Sequence, residues 1–191
     1  MSIIFYLGND VKEYTKNKDE LINEYIEASR IICKKCLKPM SKHSEYTRGI
    51  KETGQQINIT MVWCKKCRIW DAILPDFLLE RKHYSANEIE SVIIESATAK
   101  HMTEIDTKAS ESTVRRWVTR IGESIKRAIG ILKYLFRRAG QAVSETSIEP
   151  GPVYGELEQL LEMAPSAVKY SGNKLGLTNL WMGTNAVRGY I

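Results

Sequence analysis

The four-residue cassette Cys-Lys-Lys-Cys occurs twice, as Cys33-Lys34-Lys35-Cys36 and Cys64-Lys65-Lys66-Cys67, and it uses all 4 cysteines of the chain. Each cassette puts two sulfurs on one tight turn. Two such turns, brought together by a small sheet, supply four thiolates at about 2.3 Å from a tetrahedral zinc ion. The expected cofactor is therefore structural Zn²⁺ held by Cys33, Cys36, Cys64 and Cys67, with iron in the same four-sulfur cage as the rival. Four thiolates around Zn²⁺ carry a net charge of about minus two, which the cassette lysines can offset while favouring thiolate over thiol.

Other uses of paired cysteines fit less well. A thioredoxin-type dithiol needs one CxxC at the start of a helix within a βαβ unit, and neither cassette has that setting. A disulfide framework needs an oxidising compartment. The opening run Ile3-Ile4-Phe5-Tyr6-Leu7 has no basic flank and is too short for a signal peptide, so a cytoplasmic, reducing location is expected. No apolar stretch approaches the roughly 20 residues that cross a bilayer, so no membrane partner is expected.

The chain is long enough for one ordinary domain or two small ones, and its 43% hydrophobic content suits a globular fold. Residues 1–32 read as a strand and a helix, the latter from the spacing of Leu21, Ile22, Tyr25, Ile26 and Ala28. Residues 33–75 read as a three-stranded zinc ribbon. One strand runs from His43 to Ile50, a second carries alternating Ile57, Ile59, Met61 and Trp63, and a third runs from Arg68 to Leu74 before Pro75. Residues 84–138 read as helical. Ser85-Ala86-Asn87-Glu88 is a capping box ahead of the stripe Ile89, Val92, Ile93 and Ala97, and a short second helix fits around His101 to Asp106. A long helix then opens at Ser112-Thr113-Val114-Arg115-Arg116-Trp117. Residues 139–191 read as a linker followed by an interaction segment that contains the amphipathic stretch from Glu156 to Met163 and Trp181. The expected fold class is α+β, a small ribbon followed by a helical region.

Charge is unevenly spread. The net charge is only +5, yet from Ser112 to Arg138 the basic residues Arg115, Arg116, Arg120, Lys126, Arg127, Lys133, Arg137 and Arg138 face the single acid Glu123. Such a surface suits nucleic-acid phosphate, and its plainer alternative is a solvated helix face.

The order of zinc knuckle, His43-Ser44-Glu45-Tyr46-Thr47-Arg48, hydrophobic strand, second knuckle, Leu74-Pro75-Asp76-Phe77-Leu78, His83-Tyr84-Ser85 and Ser112-Thr113-Val114-Arg115-Arg116-Trp117 resembles a bacterial family of uncharacterised proteins associated with insertion sequences. The ribbon is also similar to those at the front of many transposases. The resemblance covers roughly residues 33–120. It departs at Leu37 and Arg68, which follow the second cysteine of each pair in turns that often carry Pro and Gly. What it implies is double-stranded DNA binding through a helix-turn-helix. Thr113, Arg115 and Arg116 would then face base edges, Val114, Trp117 and Val118 would face the core, Arg120 would extend the DNA-binding face, and Lys126, Arg127 and the ribbon lysines would contact phosphate.

No enzyme is expected. Asp71, Asp106 and Glu145 could be drawn as a metal-binding acidic triad, but a transposase triad sits on a mixed α/β domain, and residues 85–138 read as helix, so each of these acids is expected to be a turn or surface residue. His43, His83 and His101 have no nucleophile or base at recognisable spacing. The expected function is sequence-specific DNA binding for a mobile element or in transcription, with a transposase or a second copy as further partner. The alternatives are a zinc-ribbon protein adaptor and a non-catalytic transposase accessory subunit.

Overall fold

The computed structural model describes residues 2–97, 99, 101–138, 140, 153–163 and 174–187. Its elements are β1 (Ser2–Phe5), α1 (Val11–Glu27), β2 (Ser41–Ile50), β3 (Gln55–Cys64), β4 (Ile69–Pro75), α2 (Ala86–Ser96), a 3-10 turn (Met102–Glu104), α3 (Glu111–Arg138), α4 (Val153–Glu162) and α5 (Lys174–Val187). The fold is α+β. The chain divides into two compact units, one of Met1–Ala86 with Lys169–Ile191 and one of Asn87–Val168. The linker expected from residue 139 lies mostly outside the described residues.

The first unit is built on a sheet of strand order β1-β4-β3-β2. β2, β3 and β4 pair antiparallel, as their sequence alternation and tight connections require. The expected three-stranded sheet is, however, four-stranded: β1 adds in parallel along β4, with Ile3 opposite Ile73 and Ile4 opposite Leu74. The reason is burial. Consecutive Ile3 and Ile4 point to opposite faces of the sheet and both are buried, so β1, although the edge strand, needs a place in a sheet covered on both faces. Residues 1–32 and 33–75 therefore share one core, in which Ile3, Leu7, Tyr14 and Ile22 pack with Ile57, Ile59, Val62 and Ile73. On the C-terminal side α5 packs against β1, Leu180 joins this core, and the Asn179 amide donates to the Leu78 carbonyl at 3.0 Å. The Trp181 side chain lies outside the described residues.

α1 starts well before the residues that suggest it in sequence. Asp10 caps it by accepting from the Glu13 N–H at 2.8 Å, and Glu13 reaches back to accept from the Asn9 N–H at 2.8 Å. Its inward stripe is Tyr14, Lys18 and Ile22. Lys18 is tolerated there because it ion-pairs with Glu45 on β2. The helix ends with the Arg30 N–H on the Tyr25 carbonyl and Ser29 at φ 52°, a Schellman ending without glycine.

Gly8 enters α1 at φ +130°, and a Cβ there would lie 2.8 Å from the Tyr14 backbone nitrogen. Both the conformation and the space demand glycine. Gly8→Ala is expected to cost about 1–3 kcal/mol of stability, the range for a residue forced into a sparsely populated backbone region. Urea denaturation measures it, and an unchanged midpoint would mean that the turn relaxes freely.

In the second unit α3 carries its apolar stripe as expected. Val114, Trp117, Ile121, Ile125, Ala128, Ile129, Leu132 and Phe136 are buried, while Val118 is half-buried. α4 and the 3-10 turn pack on α3 and contribute the buried residues Leu157, Leu160, Leu161 and Ile105. α2 starts at Ala86, where the sequence motif places it, but the Ser85 N–H that a capping box gives to Glu88 donates to Glu52 at 2.8 Å, and Glu88 accepts the Thr107 hydroxyl at 2.5 Å.

Candidate metal centre and basic helix

The two Cys-Lys-Lys-Cys turns close in the same way. In the first, the Leu37 N–H returns to the Cys33 carbonyl at 2.7 Å with Leu37 at φ 55°, and in the second the Arg68 N–H returns to the Cys64 carbonyl at 2.8 Å with Arg68 at φ 53°. Positive φ at these two positions explains why such turns favour glycine there. This chain instead holds two bulky residues in the left-handed region, at a cost of roughly 1–2 kcal/mol each. The first turn is closed by the bridge between Ile32 and Pro39, and the second is the hairpin between β3 and β4, with Cys64 opposite Ile69.

The sheet brings the turns together. The ligand atoms of Cys33, Cys36, Cys64 and Cys67 all lie within 4.8 Å of one another, and the Cys36 and Cys64 Sγ atoms are 3.6 Å apart. That separation is far beyond a disulfide bond, and all four cysteines are free thiols. It matches the edge of about 3.8 Å that a tetrahedron with 2.3 Å metal–sulfur bonds requires. Cys33 and Cys64 are buried, while Cys36 and Cys67 are half-buried. The donor set is all sulfur and closed, so the cluster fits a soft, four-coordinate ion and leaves no ligand position for substrate.

Four thiols in so small a volume cannot all ionise without a cation. The Cys36 thiol is lowered to about 7, chiefly by the hydrogen bond from the Lys38 backbone. Cys67, hydrogen-bonded to Cys36, is pushed up to about 12. Metal uptake must therefore expel protons from this site.

The cassette lysines divide in role. Lys34 ion-pairs with Asp71 at 3.2 Å, and Asp71 is only 3% exposed. Asp71 is thus a buried strand residue that ties the first knuckle to β4. The reading of it as a turn or surface acid is corrected, and its pairing with Lys34 has no visible sequence signature because the two lie on separate elements. Lys35, Lys38, Lys65, Lys66 and Arg68 are exposed and have no ion-pair partner among the described residues. Asp106 is exposed, with its N–H on Glu95, and Glu145 lies outside the described residues. His43, His83 and His101 are exposed.

The DNA-contacting candidates all lie on α3. Arg115, Arg116, Arg120, Lys126 and Arg127 are exposed and Thr113 is half-buried. With 3.6 residues per turn, Arg116, Arg120 and Arg127 form one stripe opposite the buried face, and Arg115 and Lys126 form a second beside it. Not every cation there is open: Arg115 pairs with Glu111 at 2.6 Å, and Lys133 pairs with Glu156 of α4 at 2.5 Å, which removes Lys133 from the open face. The Thr113 hydroxyl is 2.9 Å from that of Ser110 at the helix start. Residues 97–110, with their 3-10 turn, separate α2 from α3, where a helix-turn-helix has a connection of only 3–4 residues.

One group escaped the sequence reading. Trp63 and Trp70 are directly paired across β3 and β4, with ring centroids 4.2 Å apart, and His43 meets Trp70 edge-on at 4.0 Å. A signal existed, since the two tryptophans flank the second cassette at the positions a tight hairpin sets opposite one another.

Fold and site together define an α+β protein with a four-cysteine cluster able to hold a metal. The chain belongs to the family DUF6431, a domain of unknown function, whose model matches residues 18–117. That span contains all four cysteines and the first turns of α3 through Trp117, and it ends before Arg120, Lys126 and Arg127. Searches of the curated proteins and of the solved structures return no match. No helix among the described residues is long and apolar enough to cross a membrane.

Proposed function

We propose that this protein binds double-stranded DNA sequence-specifically, without catalysis, through the N-terminal turns of α3, and that zinc at the four cysteines is structural and completes a ribbon formed by β2, β3 and β4. The observation that carries the reading is the cationic face of α3, set opposite its buried stripe. A major groove about 12 Å wide accommodates only the first turns of this helix, while Lys126 and Arg127 lie about 15 Å further along, at the distance of the phosphate backbone. The recognition helix is a helix-turn-helix variant in which residues 97–110 replace the short turn. The setting is a mobile element or transcription, in a reducing compartment such as the cytoplasm, with a transposase or a second copy as partner. It draws on the resemblance of the knuckles and the Ser112-to-Trp117 helix start to insertion-sequence proteins.

Selection of bound sequences from a random duplex pool, using zinc-loaded protein, tests the reading and supplies the site. Arg115→Ala or Arg116→Ala is then expected to relax sequence preference at a cost of about 1–3 kcal/mol, whereas Lys126→Ala or Arg127→Ala weakens binding to all duplexes alike. Equal effects of the four changes on selected and random DNA would remove the recognition-helix assignment.

A further inference from the structure

The two indoles beside the second knuckle are not placed as core residues. Trp63 is half-buried and Trp70 remains 43% exposed. Strand register puts Trp63 and Met61 of β3 on one sheet face with Trp70 and Ala72 of β4 and Tyr46 of β2; Tyr46 is 41% exposed, while Ile59, further along the same face, is buried, so the open part is the end beside the second knuckle. The register of β2 slips between Lys42 and Ser44, so that His43 is the extra residue of a bulge, and its ring meets both indoles. A bulge re-aims a side chain, and this one carries an imidazole onto an open tryptophan.

Charge says what this face accepts. Trp63 and Trp70 are the last strand pair but one beneath the hairpin that holds Lys65, Lys66 and Arg68, all exposed and without an ion-pair partner among the described residues. The acids of this region occupy the opposite face. Glu45 bonds Lys18 and Thr60, and Asp71 bonds Lys34. An aromatic surface bordered by exposed cations, with no carboxylate of the described strand residues on the same face, fits a ligand of flat rings on a polyanionic chain. A second copy of the same face would set like charges against each other.

We propose that this sheet face is a stacking platform for unpaired bases of single-stranded DNA, with Trp70 as the principal stacking residue, Trp63 and His43 holding its ring in place, and Lys65, Lys66 and Arg68 on the flanking phosphates. The choice of DNA rests on the duplex reading of α3, but the platform is a separate site and its test is separate. Ring stacking tolerates any base, so this face adds affinity for opened strands without adding sequence preference.

Zinc-loaded full-length protein is titrated into labelled oligothymidylate of about 12 nucleotides, within the usual site size, and into labelled duplex, at several salt concentrations. Trp70→Ala is expected to weaken oligothymidylate binding about ten- to a hundredfold, while Trp70→Phe stays near the parent. Replacing Lys65 and Lys66 together by Gln should flatten the log–log salt slope by about 1.4, the single-strand value for two lost phosphate contacts. Duplex affinity should not change in any of these variants. Arg116→Ala should do the reverse, lowering duplex binding alone, so failure of the platform is distinguishable from failure of the α3 reading. If Trp70→Ala melts early, Trp70→Leu and Trp70→Phe of equal melting temperature decide, and only Phe should retain binding. The proposal is overturned by a parent that ignores oligothymidylate, by equal binding of the Leu and Phe variants, by parallel losses on duplex and single strand, or by clear preference for oligouridylate.

Discussion

Removing the metal with a chelator, or replacing Cys64 by Ser, is expected to lower the melting temperature of the purified protein by at least about 10 °C, with zinc content falling from about one per chain to none. The magnitude follows from the size of the terms. Structural zinc contributes roughly 10–16 kcal/mol of apparent binding free energy at neutral pH, and a domain of ordinary size is stable by only about 5–15 kcal/mol. The knuckles also hold two residues, Leu37 and Arg68, in the left-handed region, a conformation that persists only where the surroundings impose it. Without the ion, Cys33 and Cys64 become buried thiols and the hairpin loses its anchor to the first turn. The pH dependence has a fixed sign. Hydrogen bonding to Cys36 and burial hold the Cys67 thiol well above the ordinary thiol range in the metal-free cluster, so protons compete with metal, and the ion is lost as pH falls. Metal analysis after anaerobic purification checks both statements, and a zinc-free protein with parental melting would refute them.

The parts of this fold that were legible in the sequence are those whose determinants are local. The cassettes announce their own turns, β3 alternates over Ile57, Ile59, Met61 and Trp63, and α3 repeats its apolar residues every three or four positions. Elements set by distant partners were not legible. The parallel pairing of β1 with β4 joins residues some seventy positions apart, and nothing in Ser2-Ile3-Ile4-Phe5 names its neighbour. α1 extends back to Val11, well before Leu21, and only the structure reveals Glu45 as the charge that makes Lys18 tolerable on its inward stripe. The cap at Asp10 and Glu13, by contrast, was a readable signal passed over. Turn chemistry is silent at the end of α1, where Ser29 occupies the position at which glycine would mark the boundary. At the metal centre the ligands were readable and their surroundings were not. The sequence does not distinguish Lys34 from the other three cassette lysines, and only the fold pairs it with Asp71 and leaves Trp70 exposed beside the second knuckle.

Trp117 lies where the matched family region meets the basic helix, and its role can be separated from that of the arginines around it. It is 3% exposed, one turn from Val114 at 1% and from Ile121 at 7%, on the face of α3 that the 3-10 turn and α4 cover. Arg115 and Arg116 immediately before it point to the opposite side. An indole so placed fills space between helices and cannot stack on a base without the unit opening. Trp117→Ala is therefore expected to cost about 3–5 kcal/mol of stability, as large-to-small changes in a packed core do, and to lose DNA binding only as a consequence. Tyr134, on the same helix but 55% exposed, supplies the contrast: Tyr134→Ala should stay within about 0.5 kcal/mol of the parent. Thermal melting followed by duplex titration below the melting point gives both readouts. A Trp117→Ala protein that melts like the parent yet no longer binds duplex would mean that the indole faces the nucleic acid, and the packing assigned to α3 would have to be redrawn.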